Sequence, residues 1–111
     1  MKAELRQKWI DALRSGKYTQ CTGKLVRNPS EERLSYCCLG VLCDVAGFKR
    51  VGDTFEMDMV TTLHFDLTDK ALEHFNMKRS QSACLVSLND DEGQSFEDIA
   101  DYIEKEIPCE A

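Results

Sequence analysis

An apolar run near the middle of the chain restricts its fold more than any other feature. Residues 37–47 read CCLGVLCDVAG and contain one charged residue, Asp44. A helix that is apolar on all sides must be buried in a protein core or a membrane, and this run is far shorter than the roughly 20 apolar residues that span a bilayer. We therefore expect a buried central helix over residues 36–46, ended by Gly47, with a neighbouring backbone close to Gly40.

Apolar residues at helical spacing predict a helix before this run. In residues 3–15, Leu5, Trp9 and Leu13 recur at four-residue steps. Gly16 follows, at a position where a glycine commonly ends a helix. The pattern is typical of an amphipathic helix whose apolar side faces the core.

Two further helices are predicted after residue 66. Thr68 is a suitable N-cap for a helix that continues to about Met77. Ser80 or Ser82 begins a second, short helix, and residues 89–94 form a polar loop after it.

The C-terminal helix has the clearest pattern. Ser95 and Asp98 have the spacing of a capping box, with Asp in place of the usual Glu. Apolar residues then recur at helical intervals until Pro108, which ends the helix.

A small β-hairpin is predicted between the first helix and the central run. Residues 18–27 are rich in β-favouring side chains, Asn28 and Pro29 indicate a turn, and residues 33–36 form the returning arm. Residues 48–66 show no comparable pattern beyond scattered apolar residues and one turn signal.

These elements define the expected fold class. We expect one domain over residues 1–111, mainly helical within the α+β class. About four helices surround the buried helix of residues 36–46, and the hairpin occupies about residues 18–36.

Charge is distributed unevenly along the chain. The net charge is −6 and the pI is about 4.9. Residues 1–50 carry ten Lys or Arg against five Asp or Glu, whereas residues 51–111 carry four against fifteen. Nucleic-acid-binding proteins usually have a basic face and a high pI, so we do not expect direct binding to nucleic acid.

The acidic half is a candidate contact surface for a basic protein. The alternative is that these carboxylates form a solvated surface that keeps a small protein soluble. The candidate partner-binding residues are Asp90, Asp91, Glu92, Glu97, Asp98, Asp101 and Glu104.

Basic residues around the predicted hairpin form an alternative site. Cationic side chains beside an aromatic ring are suited to a phosphorylated small molecule such as a nucleotide. Packing of this basic half against the acidic C-terminal helix would account for the same residues. The candidate ligand-binding residues are Arg14, Lys17, Tyr18, Lys24, Arg27 and Arg33.

No residue pattern indicates a catalytic, metal or cofactor site. The glycines are isolated, so there is no phosphate-binding loop. The cysteine spacings are CC and C-x4-C, without the C-x2-C pair that is typical of structural zinc sites. No secretory signal is recognisable, so we expect reduced cysteines that pack as small apolar residues. A nucleophilic pair of Cys21 or Cys109 with His64 or His74 has no supporting motif.

The most distinctive stretches are LRSGKYTQ at residues 13–20, YCCLGVLCD at 36–44 and SFEDIADYI at 95–103. Together they resemble a family of small uncharacterised proteins found mostly in bacteriophages and prophages. The resemblance covers most of the chain except residues 48–66. It implies a phage context and a shared fold, but no activity and no catalytic residue.

We therefore expect a cytoplasmic, non-enzymatic accessory protein that binds and modulates a host protein. It would be a monomer or a weak homodimer, without a membrane segment, metal or cofactor. The alternative is a protein that binds a nucleotide-like small molecule at the basic hairpin.

Overall fold

Five helices and two small antiparallel sheets form the part of the chain that the computed structural model describes, residues 1–28 and 34–107. The helices are α1 (Ala3–Arg14), α2 (Cys38–Val45), α3 (Asp69–Phe75), α4 (Arg79–Asp90) and α5 (Phe96–Glu106). The strands are β1 (Val26–Arg27), β2 (Ser35–Tyr36), β3 (Lys49–Val51), β4 (Thr54–Met57) and β5 (Val60–Thr61). The predicted class, a mainly helical α+β fold with a small hairpin, is confirmed.

The central apolar run forms the buried helix α2. Six consecutive residues, from Cys38 to Cys43, are buried, because α1 and α4 pack against this helix. Trp9 of α1 donates a hydrogen bond from Nε1 to the backbone oxygen of Cys38 at 2.8 Å. The helix begins later than predicted, because Cys37 has an extended backbone. Its end is as predicted, with Gly47 at a φ of +88°.

Gly40 lies against the backbone of Leu25. A Cβ atom on Gly40 would be 1.9 Å from the carbonyl oxygen of Leu25, which is a severe overlap. The same oxygen accepts a hydrogen bond from the backbone nitrogen of Cys37 at 3.0 Å. The backbone that we expected close to Gly40 is therefore that of Leu25, the residue before β1 of the hairpin.

The side chain of Asn89 joins several elements at the start of α2. Its Oδ1 accepts hydrogen bonds from the backbone nitrogen of Cys38 at 3.3 Å and from Nε2 of Gln20 at 2.9 Å. Its Nδ2 donates to the backbone oxygen of Cys21 at 2.8 Å. The predicted loop over residues 89–94 is wrong at its start, because α4 continues to Asp90 and holds Asn89 in this buried position.

The predicted hairpin is present but much smaller. Val26 pairs with Tyr36 and Arg27 pairs with Ser35, whereas residues 18–22 form no strand. Gln20 makes one isolated bridge to Tyr36. The rest of the predicted turn, residues 29–33, lies outside the described residues.

Residues 48–66, which showed no sequence pattern, form the three-stranded sheet β3–β4–β5. Two-residue turns join the strands, and Gly52 and Asp58 have the positive φ angles that such turns require. Phe55 on the inner face is fully buried, and its ring centroid lies 6.4 Å from that of Tyr36 in the hairpin. Because each strand has only two to four residues, no alternating pattern is long enough to be recognised.

The predicted caps of α3 and α5 are confirmed. Oγ1 of Thr68 accepts a hydrogen bond from the backbone nitrogen of Ala71, and Oγ of Ser95 accepts one from that of Asp98, both at 3.2 Å. The predicted stop at Pro108 lies outside the described residues. Within residues 1–28 and 34–107, no helix has the length and apolar character that crossing a membrane requires.

Replacing Gly40 by Ala should destabilise the protein by more than about 3 kcal/mol, because the new methyl group overlaps a backbone that is itself hydrogen-bonded. Chemical denaturation monitored by circular dichroism measures the change. Gly16→Ala is the control: Gly16 has a φ of +76° but no atom within 4 Å of its Cβ position. It should cost only about 1 kcal/mol. Equal losses in the two variants would contradict the steric argument.

Replacing Asn89 by Ala should cost about 2–4 kcal/mol, because it leaves the buried amide of Cys38 and the carbonyl of Cys21 without these partners. Gln7→Ala is a matched control, since it removes an exposed amide that bonds to Asp11 within the same helix. It should change the unfolding free energy by less than about 0.5 kcal/mol. A loss for Asn89→Ala as small as that of the control would contradict the role of Asn89.

Candidate functional site

The predicted partner-binding residues lie on adjoining segments. We call this set, Asp90, Asp91, Glu92, Glu97, Asp98, Asp101 and Glu104, the acidic face. It comprises the end of α4, the connection to α5, and α5 itself.

Four members of the acidic face are exposed to solvent. They are Asp91, Glu92, Glu97 and Asp98, and no Lys, Arg or His among the described residues lies within ion-pair distance of them. Glu97 and Asp98 are in the first turn of α5, where the helix dipole favours negative charge. The fold therefore tolerates this group of like charges without neutralising it.

The other members of the acidic face are engaged within the molecule. Arg14 of α1 contacts Asp101 at 2.6 Å and Glu104 at 3.1 Å. The hydrogen bonds that Arg14 donates to Glu104 and Asp101 raise the pKa of its guanidinium. Asp90 accepts a hydrogen bond from Nδ2 of Asn89 at 2.8 Å. Arg14, predicted as a ligand-binding residue, thus belongs to the contact between α1 and α5.

A second arginine of α1 fixes the end of α5. Arg6 donates from Nε to the backbone oxygen of Ile107 at 2.7 Å and from Nη2 to that of Glu104 at 2.6 Å. Cationic side chains at a helix C-terminus satisfy carbonyls that have no partner in the helix. For Arg6 and Arg14, the interpretation that the basic half packs against the C-terminal helix is therefore supported.

The remaining basic residues do not converge on one site. Lys17 and Tyr18 line a groove of about 470 Å³ between α1 and the end of α2. The hydroxyl of Tyr18 donates a hydrogen bond to the carboxylate of Asp44. Burial, together with this hydrogen bond, raises the pKa of Tyr18.

Lys24 and Arg27 line a separate cleft of about 310 Å³ beside the hairpin. Nζ of Lys24 lies 3.2 Å from Oδ2 of Asp53, and Nε of Arg27 donates to the backbone oxygen of Thr22 at 2.9 Å. Arg33 lies outside the described residues. Both described cations are therefore engaged by acceptors of the chain, although the cleft is large enough for a small anion.

Sequence reasoning missed a histidine–carboxylate pair next to this cleft. Nδ1 of His64 lies 2.7 Å from Oδ1 of Asp53, and the hydrogen bond from His64, followed by that from Lys24, lowers the pKa of Asp53. The turn signal at Gly52–Asp53 was visible, but nothing in the sequence connects it with His64. An oriented imidazole of this kind can accept or donate a proton.

The cysteines of α2 and its start are unsuited to act as nucleophiles. Burial raises the pKa of Cys37 to about 12 and that of Cys38 and Cys43 well above 9.0, so these thiols stay protonated at neutral pH. Burial also raises the pKa of Cys21. Cys109 lies outside the described residues, within which no three His, Cys, Asp or Glu side chains are grouped to hold a metal.

A family model described as a domain of unknown function (DUF8296) matches residues 1–74. These residues include α1, the hairpin, α2 and the three-stranded sheet, whereas the acidic face follows them. No curated protein and no solved structure is significantly similar to the chain.

Replacing His64 by Ala should raise the pKa of Asp53 towards its ordinary value of 3.8, because the largest cause of its lowering is removed. NMR titration of the Asp53 carboxyl measures the shift, and His74→Ala is the matched control. Since the pKa of Asp53 is lowered in the folded state, the stabilisation is present above 3.8 and is lost as the pH falls through the folded value. An unchanged pKa in His64→Ala would show that the pair does not form in solution.

Proposed function

The chain belongs to the DUF8296 family, which is defined by a domain of unknown function, and from this premise we propose that it is a non-enzymatic accessory protein that binds a basic protein through its acidic face. The observation that carries the proposal is the group Asp91, Glu92, Glu97 and Asp98. These carboxylates are exposed and unpaired within the described residues. Uncompensated charge of one sign favours a partner surface of the opposite sign.

The acidic face is held in place before any partner arrives. Phe96, Ile99 and Ile103 bury the other side of α5 in the core, while Ser95 caps its start. Arg6 binds its last carbonyls. Little conformational entropy would therefore be lost on binding, which favours affinity at a given contact area.

The expected partner is a host protein. We propose a phage or prophage origin, as the sequence resemblance implies, and such a protein would act in the cytoplasm of a bacterial host. Exposed carboxylates carry negative charge as nucleic-acid phosphates do, so they can bind in a cationic cleft that normally holds phosphates. Occupation of such a cleft would block or modulate the host protein without any chemical step.

A nucleotide-like ligand is the second candidate. Its support is the cleft beside Lys24 and Arg27, which is large enough for a phosphate group. Against it, Asp53 already contacts Lys24, and Arg14 and Lys17 lie elsewhere in the fold. Isothermal titration calorimetry with nucleotides, compared between wild type and Lys24→Ala/Arg27→Ala, distinguishes this function from protein binding.

Neutralising three carboxylates should abolish partner capture. We expect Asp91→Asn/Glu92→Gln/Glu97→Gln to retain at least 10-fold less partner than wild type in a low-salt pull-down from bacterial lysate, because electrostatic attraction is strongest when salt screening is weak. Quantitative mass spectrometry of the eluates identifies the partner and measures its amount.

The matched control is Glu4→Gln/Asp58→Asn/Glu73→Gln, which changes the net charge equally at exposed sites on other elements. It should retain the partner. Equal loss in both variants would mean that capture depends on net charge alone. A wild-type protein that captures no protein at low salt would refute the proposed function.

A further inference from the structure

The large apolar side chains that the described residues expose belong to one short segment. Val51 is 44% exposed, Met59 83%, Leu63 44% and Phe65 56%. They belong to the three-stranded sheet, its turns and the loop that follows it. Clusters of exposed apolar residues on a soluble domain commonly mark interaction surfaces.

Strand register places two of these residues in one row. Val51 pairs with Thr54. The β4–β5 register extends to Phe55 and Thr62, because the backbone nitrogen of Thr62 donates to the backbone oxygen of Phe55 at 3.0 Å, and Leu63 is the next residue along the chain. Directly opposed residues project from the same face of a sheet. Phe55 and Thr62 are buried, so their neighbours Thr54 and Leu63 lie on the opposite, outer face.

Phe65 is two residues after Leu63 in the chain. It lies in the turn that the hydrogen bond from the backbone nitrogen of Leu63 to the backbone oxygen of Asp66 closes at 3.0 Å. Met59 lies in the β4–β5 turn, which follows the C-terminal end of β4, whereas Thr54 is at the N-terminal end of that strand. We therefore take the apolar part of the outer face to be Val51, Thr54 and Leu63, followed by the exposed Phe65 in the adjoining turn.

The outer face also carries a pair of opposite charges. Lys49 is directly opposite Glu56 in the β3–β4 register. Both are exposed, and among residues 1–28 and 34–107 neither lies within 4.0 Å of an oppositely charged group. The face thus combines an apolar row with one cation and one anion that are both available.

This arrangement is complementary to itself. A two-fold axis that runs along the strands between β3 and β4 exchanges the two strands. Lys49 then faces Glu56 of a second copy, and Val51 faces Thr54 of that copy beside its Leu63. Each contact occurs twice, as in every two-fold interface.

We infer that the outer face of the β3–β4–β5 sheet is a homodimer interface. The strands of this sheet have only two to four residues each, so the contact area is small, and each copy has a net charge of −6. Long-range repulsion and limited area both oppose association. The dimer is therefore weak and reversible.

Sedimentation velocity over about 1–500 µM protein, under reducing conditions and physiological salt, tests the inference. Wild type should change from monomer to dimer across this range. Leu63→Ser/Phe65→Ser should raise the dissociation constant at least 10-fold. Met59→Ser is the control, since it removes a still more exposed apolar side chain outside the row, and it should dimerise like wild type.

Charge exchange tests the orientation of the two copies. Lys49→Glu and Glu56→Lys should each weaken dimerisation, because like charges then face each other across the axis. The double variant Lys49→Glu/Glu56→Lys should restore it, because the opposite-charge contacts are re-formed. Lys70→Glu, an exposed change on α3, is the control for net charge. Circular dichroism establishes that each variant is folded.

Several results would overturn the inference. A wild-type protein that stays monomeric at all concentrations would refute it. If Met59→Ser and Leu63→Ser/Phe65→Ser weaken dimerisation equally, the association is non-specific and hydrophobic rather than a contact through this face. The acidic-face variants leave the sheet intact, so failure of dimerisation and failure of partner capture are separate results.

Discussion

The buried N-terminus of α2 is the point on which the arrangement of the other elements depends. A helix end in the core must find partners for backbone groups that the helix itself cannot satisfy. Here the backbone nitrogen of Cys37 donates to Leu25 and that of Cys38 donates to Asn89, and the carbonyl of Cys38 in addition accepts a hydrogen bond from Trp9. These three hydrogen bonds fix the hairpin, α4 and α1 around α2. Gly40 makes the arrangement possible, since any side chain there would overlap Leu25.

The uneven charge of the sequence has two consequences in the fold. Arg6 and Arg14 use the positive charge of α1 to hold α5 through its last carbonyls and through Asp101 and Glu104. The chain has more carboxylates than cations, and part of the acidic face has no cationic partner within residues 1–28 and 34–107. The same helix is therefore fixed on one side and left strongly negative on the other, which is the physical basis of the proposed protein-binding function.

The proposed contact surfaces occupy different parts of the molecule. The acidic face belongs to the end of α4 and to α5, whereas the outer face belongs to the β3–β4–β5 sheet. Their chemistry also differs, since one consists of carboxylates and the other of an apolar row with a single Lys and Glu. A dimer through the sheet would present two acidic faces, and two linked contacts bind a repetitive partner more tightly than one.

Except for the start of α4, which is Arg79 rather than the predicted Ser80 or Ser82, the sequence by itself determined the helices, together with the caps of α3 and α5, the burial of residues 38–43 and the need for Gly40. These features depend on local spacing or on the burial of a continuous apolar run, both of which are visible along the chain. It also determined which half is acidic, although not which carboxylates remain unpaired.

Tertiary structure alone decided the rest. Strands of two to four residues in β3–β5 are too short to show an alternating pattern, so their pairing had to come from packing against the hairpin. Asn89 is polar and was predicted in a loop, yet partners remote in sequence keep it within a helix. The contacts of Arg14 with Asp101 and of His64 with Asp53 likewise join residues whose proximity only the folded chain creates.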